Sequence, residues 1–370
     1  MFRYKLHFSN DGGKLVITHN EKNVYEAKFG KMFDEACDCP YSYEEFLKIY
    51  NCPDSYPQLD EDLSHYDTID LDRLAKAGND KHWGTEATIH YVVKNQKIYT
   101  KRLGTITDFK MFTDGILFSL LRKVNIPDVE FIFNVGDWPL GKVLTDPVPV
   151  FSWCGSNSTT DIILPTWDQT KNTRLAMNRV SVDILSVQQE SGRNPKWKNK
   201  TEKALFRGRD SNKVRLTLAE LSLKHPDLLD AGMTSYNFRK MDVAKWGPKA
   251  NYIPLHEMGA YKYQLLIDGT VAAYRAPYLF QAGSLILKQE SEYYEWWYNS
   301  LKPNKHFIPI KKDASDVLEK VTWAKNNDKQ AEEIAHAGST LAQNLLTPEN
   351  MYCYYAKAFH KYRYKYITKY

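Results

Sequence analysis

Three short stretches carry residues whose types and spacing could do chemistry. The first is Asn134-Val-Gly-Asp-Trp-Pro139, which follows the apolar run Val129–Val135. In an open α/β sheet, ligands bind beyond the carboxyl ends of the strands, so Asp137 stands where a reacting carboxylate belongs. Beside Trp138 such a carboxylate can hold a raised pKa and take a proton as a general base. An Asx turn ahead of Pro139 is the competing reading of the same residue. The second stretch is Phe206-Arg-Gly-Arg-Asp-Ser-Asn-Lys-Val-Arg215, a strand, a glycine turn and a helix start. Free N–H groups at that helix N-terminus, with Arg207, Arg209 and Arg215, suit a diphosphate, although a solvated basic turn reads the same way. The third is Ile267-Asp-Gly-Thr-Val-Ala-Ala-Tyr-Arg275, where small residues allow close backbone approach and Arg275 can reach a phosphate.

The elements around these stretches alternate. Phe2–Ser9, Lys14–Thr18 and a run to Phe29 read as strands, with Asp11-Gly12 as the hairpin turn. Helical and acidic patterns follow over 41–50, 59–66 and 70–77. Next come a strand pair at Ala87–Val93 and Ile98–Arg102 and an amphipathic helix over Phe109–Val124. Val129–Val135 is a short, mainly apolar run, as in a buried parallel strand. Short strands are expected at 148–151 and 162–164. The second half repeats the rhythm: a strand at 203–206, a helix at 213–225, helix or strand at 261–267, a strand at 284–288 and two helices across 313–346. Strands alternating with helices predict an α/β fold with parallel sheets, and two such halves predict two Rossmann-like lobes facing a cleft.

Bulk properties narrow the class. With 370 residues the chain exceeds what one core ordinarily serves. Its net charge of +5 is spread along the sequence apart from the basic tail Lys361–Lys369, which does not resemble the concentrated stripe of a nucleic-acid binder. No run of 18 apolar residues is present, so no membrane span is expected. The glycine patterns of P-loops and dinucleotide folds are absent, and the ten histidines lack metal-site spacing. Asp70-Leu-Asp72 has a spacing that can hold a divalent metal but lies on an acidic helical stretch. Cysteines at 37, 39, 52, 154 and 353 fit two disulfides and one free thiol, with Cys154 as a buried structural thiol. Asn157-Ser-Thr159 and Asn199-Lys-Thr201 are N-glycosylation sequons, which together with the cysteines point to a secretory protein.

Taken in order, Asn134–Pro139, Phe151-Ser-Trp153, Phe206–Ser211, Tyr261–Tyr263, Asp268–Arg275, Tyr293-Tyr-Glu-Trp-Trp-Tyr298 and His306-Phe-Ile-Pro309 resemble the protein O-glucosyltransferase family. This is the Rumi-type, glycosyltransferase family 90, and the KDEL-motif-containing branch is the nearest. The resemblance implies a metal-independent GT-B enzyme of the endoplasmic reticulum lumen, with no cofactor. UDP-glucose would be the donor and a serine of an EGF-like repeat, as in Notch-type receptors, the acceptor. It places the catalytic base on Asp137 and the donor-binding residues on Arg209, Arg215, Thr270, Val271, Ala272, Ala273, Tyr274 and Arg275. It implies Cys37–Cys353 and Cys39–Cys52 bridges, while the two sequons by themselves put glycans on Asn157 and Asn199. Residues 1–36 read as the remnant of a filamin-type immunoglobulin-like domain, 37–180 with the helix in 347–370 as an acceptor lobe, and 181–346 as a UDP-sugar lobe. Compared with that branch the chain reads as truncated, without signal peptide or retention tetrapeptide. UDP-xylose in place of UDP-glucose, and a non-catalytic partner of EGF-like repeats, are the alternatives.

Overall fold

The computed structural model describes residues 4–9, 14–19, 22–28, 41–77, 87–105, 109–141, 147–170 and 195–366. Residues Met1–Tyr41 and Ser42–Tyr370 form two separate compact units. In the first, β1 (Tyr4–Ser9), β2 (Lys14–His19) and β3 (Lys22–Lys28) make a three-stranded antiparallel meander. Cys37 and Cys39 lie outside the described residues.

The larger unit opens with α1 (Tyr43–Ile49), α2 (Pro57–Ser64) and α3 (Leu71–Ala77). A capping box starts α1: the Ser42 hydroxyl accepts from the Glu45 N–H at 3.3 Å and Glu45 Oε2 accepts from the Ser42 N–H at 3.1 Å. Asp70 Oδ1 accepts from the Asp72 N–H at 2.9 Å, so this acidic pair serves the start of α3. Then come β4 (Thr88–Lys94), β5 (Lys97–Arg102), α4 (Lys110–Leu121), β6 (Val129–Asn134), β7 (Val150–Ser152), β8 (Gly155–Ser156) and β9 (Ile162–Ile163).

These strands form a sheet of order β5-β4-β6-β7-β9. The expectation of a wholly parallel setting for 129–135 is corrected: β6 runs parallel to β7 but antiparallel to β4. A mainly apolar run reports burial on both faces, which either pairing provides.

The second half contains β10 (Thr201–Arg209), α5 (Lys213–Lys224), β11 (Leu229–Ser235), α6 (Val243–Trp246), β12 (Tyr261–Leu266), α7 (Ala276–Gln281), β13 (Leu285–Gln289), β14 (Tyr293–Tyr294) and β15 (Ile308–Ile310). Four of these strands join β10 in a parallel sheet of order β11-β10-β12-β13-β15. Its core includes Phe206, Tyr263, Leu265, Leu285 and Leu287 against Leu218 and Ile334 of the covering helices. The helices α8 (Val317–Asn326), α9 (Asp328–Leu345) and α10 (Pro348–Tyr364) complete the chain.

The last helix returns to the first sheet. Tyr354 and Tyr355 donate to the carbonyls of Ile163 (2.9 Å) and Pro165 (3.1 Å), and Phe359 packs on Phe131 and Phe151. A disulfide between Cys52 and Cys353, with Cα atoms 5.4 Å apart, fastens α10 beside the end of α1. This overturns both expected bridges, Cys37–Cys353 and Cys39–Cys52. The packing of α10 seats Cys353 against the residues just after α1, where Cys52 lies. The basic tail begins in the same docked helix, with Lys361 paired to Asp60, and just past its end Lys365 donates to the Tyr66 carbonyl at 2.6 Å.

Candidate active site

The Asp137 loop leaves the carboxyl end of β6 and is pinned from below. Asn134 Oδ1 accepts from the Gly136 N–H at 3.0 Å, and its Nδ2 donates to the Trp138 carbonyl at 2.6 Å. Asp161 accepts from the N–H groups of Leu140 (2.9 Å) and Gly141 (2.7 Å). The Asx turn is therefore made by Asn134. Among the described residues the Asp137 side chain accepts no hydrogen bond; it is exposed towards a cleft, and desolvation raises its pKa above the usual carboxylate value. The main chain beneath it is held by the buried Cys154, whose Sγ–H donates to the Asp137 carbonyl at 3.3 Å. Burial raises the pKa of this thiol, in keeping with a structural role.

The cleft has a volume of about 650 Å³. Besides Asp137 its wall includes Arg207, Arg209, Arg215, Thr270 and Arg275, so the three stretches first singled out converge on one space. Arg215 projects from the first turn of α5, where Asn212 caps the helix by accepting from the Val214 N–H at 2.9 Å. Its guanidinium donates to the carbonyls of Asp268 (2.7 Å), Ile267 (3.1 Å) and Arg209 (3.2 Å). Arg275, at the start of α7, donates to the Arg207 carbonyl.

Both guanidinium groups lie over the Phe206 ring, at 5.4 and 5.6 Å from its centroid. Neither forms an ion pair among the described residues. Burial, then the charge of Arg275, pulls Arg215 down to about 9; burial pulls Arg275 down to about 10. Two desolvated cations side by side favour an anion between them. Room for them depends on Gly208: a Cβ there would lie 3.1 Å from Arg275 Nη2 and 3.2 Å from Arg215 Nη1. Arg209 is exposed at the rim.

Not all of the expected donor segment reaches the cleft. Thr270 and Arg275 do, whereas Val271, Ala272 and Ala273 are buried. Val271 and Ala272 pack with Cys154, and the Tyr274 hydroxyl approaches Cys154 Sγ at 3.6 Å. These residues support the floor of the Asp137 loop. Wall residues that sequence reasoning missed include Trp167, Phe238, Tyr252 and Met258. The loop bearing Phe238 is fixed by Asp210, which accepts from the N–H groups of Asn237 (2.7 Å) and Arg239 (2.7 Å). Burial alone would raise the Asp210 pKa, but these backbone donors outweigh it and hold the carboxyl below its usual value.

Asn157 and Asn199 are exposed. A second cavity of about 370 Å³, around Lys200, His336 and Gln343, contains none of these cleft residues.

A mixed α/β chain with a carboxylate, unpaired among the described residues, on the same cleft wall as buried guanidinium groups fits a group-transfer enzyme with an anionic leaving group. Residues 48–369 match the glycosyl transferase family 90 profile, so the chain belongs to that family and is a glycosyltransferase. It is similar to the curated "Protein O-glucosyltransferase 3" of Homo sapiens, 44% identical over 98% of this chain and 73% of that protein. The Danio rerio "Protein O-glucosyltransferase 2" is 41% identical over 100% and 75%. The Homo sapiens "Protein O-glucosyltransferase 1" is 30% identical over 74% and 71%.

Proposed function

We propose that the chain transfers glucose with inversion from UDP-glucose to a serine hydroxyl of an EGF-like repeat, in the endoplasmic reticulum lumen. The observation that carries this reading is the shared cleft, with the unpaired Asp137 carboxylate and the uncompensated Arg215 and Arg275 on its wall. In the proposed step Asp137 takes the serine proton as that oxygen bonds to the anomeric carbon. The bond from that carbon to the β-phosphate oxygen breaks, and UDP leaves with the electron pair. Arg215, Arg275 and Arg209 stabilise the charge that develops on the diphosphate. Desolvation raises the pKa of Asp137, which makes its carboxylate a stronger base than an ordinary one. Exposed Phe238 and Tyr252, on the same wall, offer ring faces to the uracil.

In this reading the protein is of GT-B type. Residues 37–180 with the helix in 347–370 hold the acceptor and 181–346 the donor, while 1–36 belong to a filamin-type domain. Asn157 and Asn199 carry N-linked glycans, which an endoglycosidase mobility shift would reveal.

The test measures UDP release with and without a folded EGF-like domain, offering UDP-glucose and UDP-xylose in turn. Acceptor-dependent release is expected, greater with UDP-glucose. Asp137→Asn should lower it by at least about 100-fold with UDP affinity within twofold of the parent. A variant keeping a tenth of the activity would refute the base assignment.

A further inference from the structure

The cleft wall is drawn from two parts of the chain that meet below it in a buried polar network. Trp167 lines the cleft and packs on Phe109 and Phe112, with ring centroids 5.1 and 5.5 Å away. The next residue, Asp168, is 4% exposed, accepts from the Thr166 hydroxyl, and accepts from the Tyr278 hydroxyl at 3.0 Å. Tyr278 is 3% exposed and lies on α7, one turn after Arg275. Gln169 continues the network, donating to Glu295 Oε2 at 3.0 Å and accepting from Trp296 Nε1 at 2.7 Å. Trp296 in turn packs on Tyr354 of α10, with centroids 4.8 Å apart.

A hydrogen bond between residues separated by 110 positions thus joins Trp167 of one wall to Arg275 of the other, one residue and three residues away. We propose that the Asp168–Tyr278 pair is a positioning pair, which fixes the arginine side of the cleft in register with the Trp167 side. The pair touches no reacting atom. Its contribution is alignment, and in transfer between two bound reactants a small misplacement slows the reacting complex more than it weakens either reactant's binding. Arg215 and Arg275 keep their own main-chain partners without it, so the affinity for UDP rests on other contacts. The inference depends on the glycosyl-transfer reading above.

Tyr278→Phe removes the hydroxyl alone and leaves the ring in its buried place. The experiment measures UDP release with an EGF-like acceptor, the kcat and the KM for UDP-glucose, the Kd for UDP and the Tm, for parent and variant. The expected result is a fall in kcat of about tenfold, with the donor KM and UDP Kd within twofold and the Tm within a few degrees. Replacing Asp168 by Ala should give a similar kcat, and the double variant should be no slower than the slower single one. An unchanged kcat in Tyr278→Phe overturns the proposal. So does a loss of UDP affinity as large as the loss of kcat, which would mark a merely structural role. If the parent itself releases no UDP in the presence of acceptor, the glycosyl-transfer reading fails, a result distinct from either of these.

Discussion

Glu295 should make this protein lose stability as the pH rises through neutrality. Its side chain is fully buried, and accepts from Gln169 Nε2 at 3.0 Å, Trp297 Nε1 at 3.3 Å and the Tyr298 hydroxyl at 3.3 Å. Burial first, and then the charge of Asp168, pushes its carboxyl up to about 8 from an ordinary 4.5. Asp168, pushed up to about 6 chiefly by burial, ionises ahead of it. Near pH 7 the folded protein therefore keeps a proton on Glu295 that the unfolded chain has released.

A group whose folded pKa is raised contributes its full stability below its unfolded pKa and loses it as the pH climbs to the folded one. For Glu295 that window runs from 4.5 to about 8. One proton gives a slope of about 1.4 kcal/mol per pH unit, so on the order of 2–3 kcal/mol is lost between about pH 6 and pH 8. Asp62 and Asp161, raised by burial, add slopes of the same sign, so the parent curve does not isolate Glu295. Lys200, pulled down to about 8 by burial, acts in the opposite sense above that pH. Glu295→Gln isolates the effect. Urea unfolding of parent and variant across this range should show the parent losing roughly 2–3 kcal/mol relative to the variant. A stability difference that stays constant with pH, within about 0.5 kcal/mol, would refute the protonated state.

Two further substitutions test other parts of the structure. Gly208→Ala sets a Cβ 2.9 Å from the Phe206 ring and within 3.2 Å of both guanidinium groups, and should weaken UDP binding by roughly 1–3 kcal/mol, read by calorimetric titration. Replacing Cys52 and Cys353 together by Ser frees a closure 301 residues long and should cost about 2–5 kcal/mol in unfolding free energy, with the reduced parent matching the double variant.

The parts of the site that were legible in the sequence are those that chemistry confines to one stretch. Asp137 follows a strand whose burial is written in Phe131, Ile132 and Phe133, and Arg215 stands one helical turn past a strand and a glycine. Trp167, Tyr252 and Met258 are brought to the wall by tertiary packing of segments far apart in the chain, and no local pattern marks them. Phe238 is in the same position, because the hold of the buried Asp210 on its loop exists only once the chain has folded. β11, Leu229–Ser235, carries no local mark because a single-partner edge strand reading Leu-Asp-Ala-Gly-Met-Thr-Ser has neither alternation nor an apolar run. The Cys52–Cys353 bridge departs from the pairing that the resemblance implies, because the docking of α10 chooses the partners.

The arginines show how one wall of the cleft is prepared before any ligand arrives. Arg215 commits three of its five N–H donors to main-chain carbonyls, which leaves two for an incoming anion and fixes the direction in which they point. That rigidity means little ordering cost on binding, the usual source of affinity at a preorganised site. The cost falls instead on the unliganded protein, where burial and then the neighbouring charge of Arg275 disfavour the charged form of Arg215, a penalty that a bound anion relieves. In the proposed reaction the negative charge on the diphosphate grows as the sugar leaves. Fixed cations that repel one another in the resting enzyme are then best compensated at the transition state, and their mutual strain favours the step that Asp137 initiates.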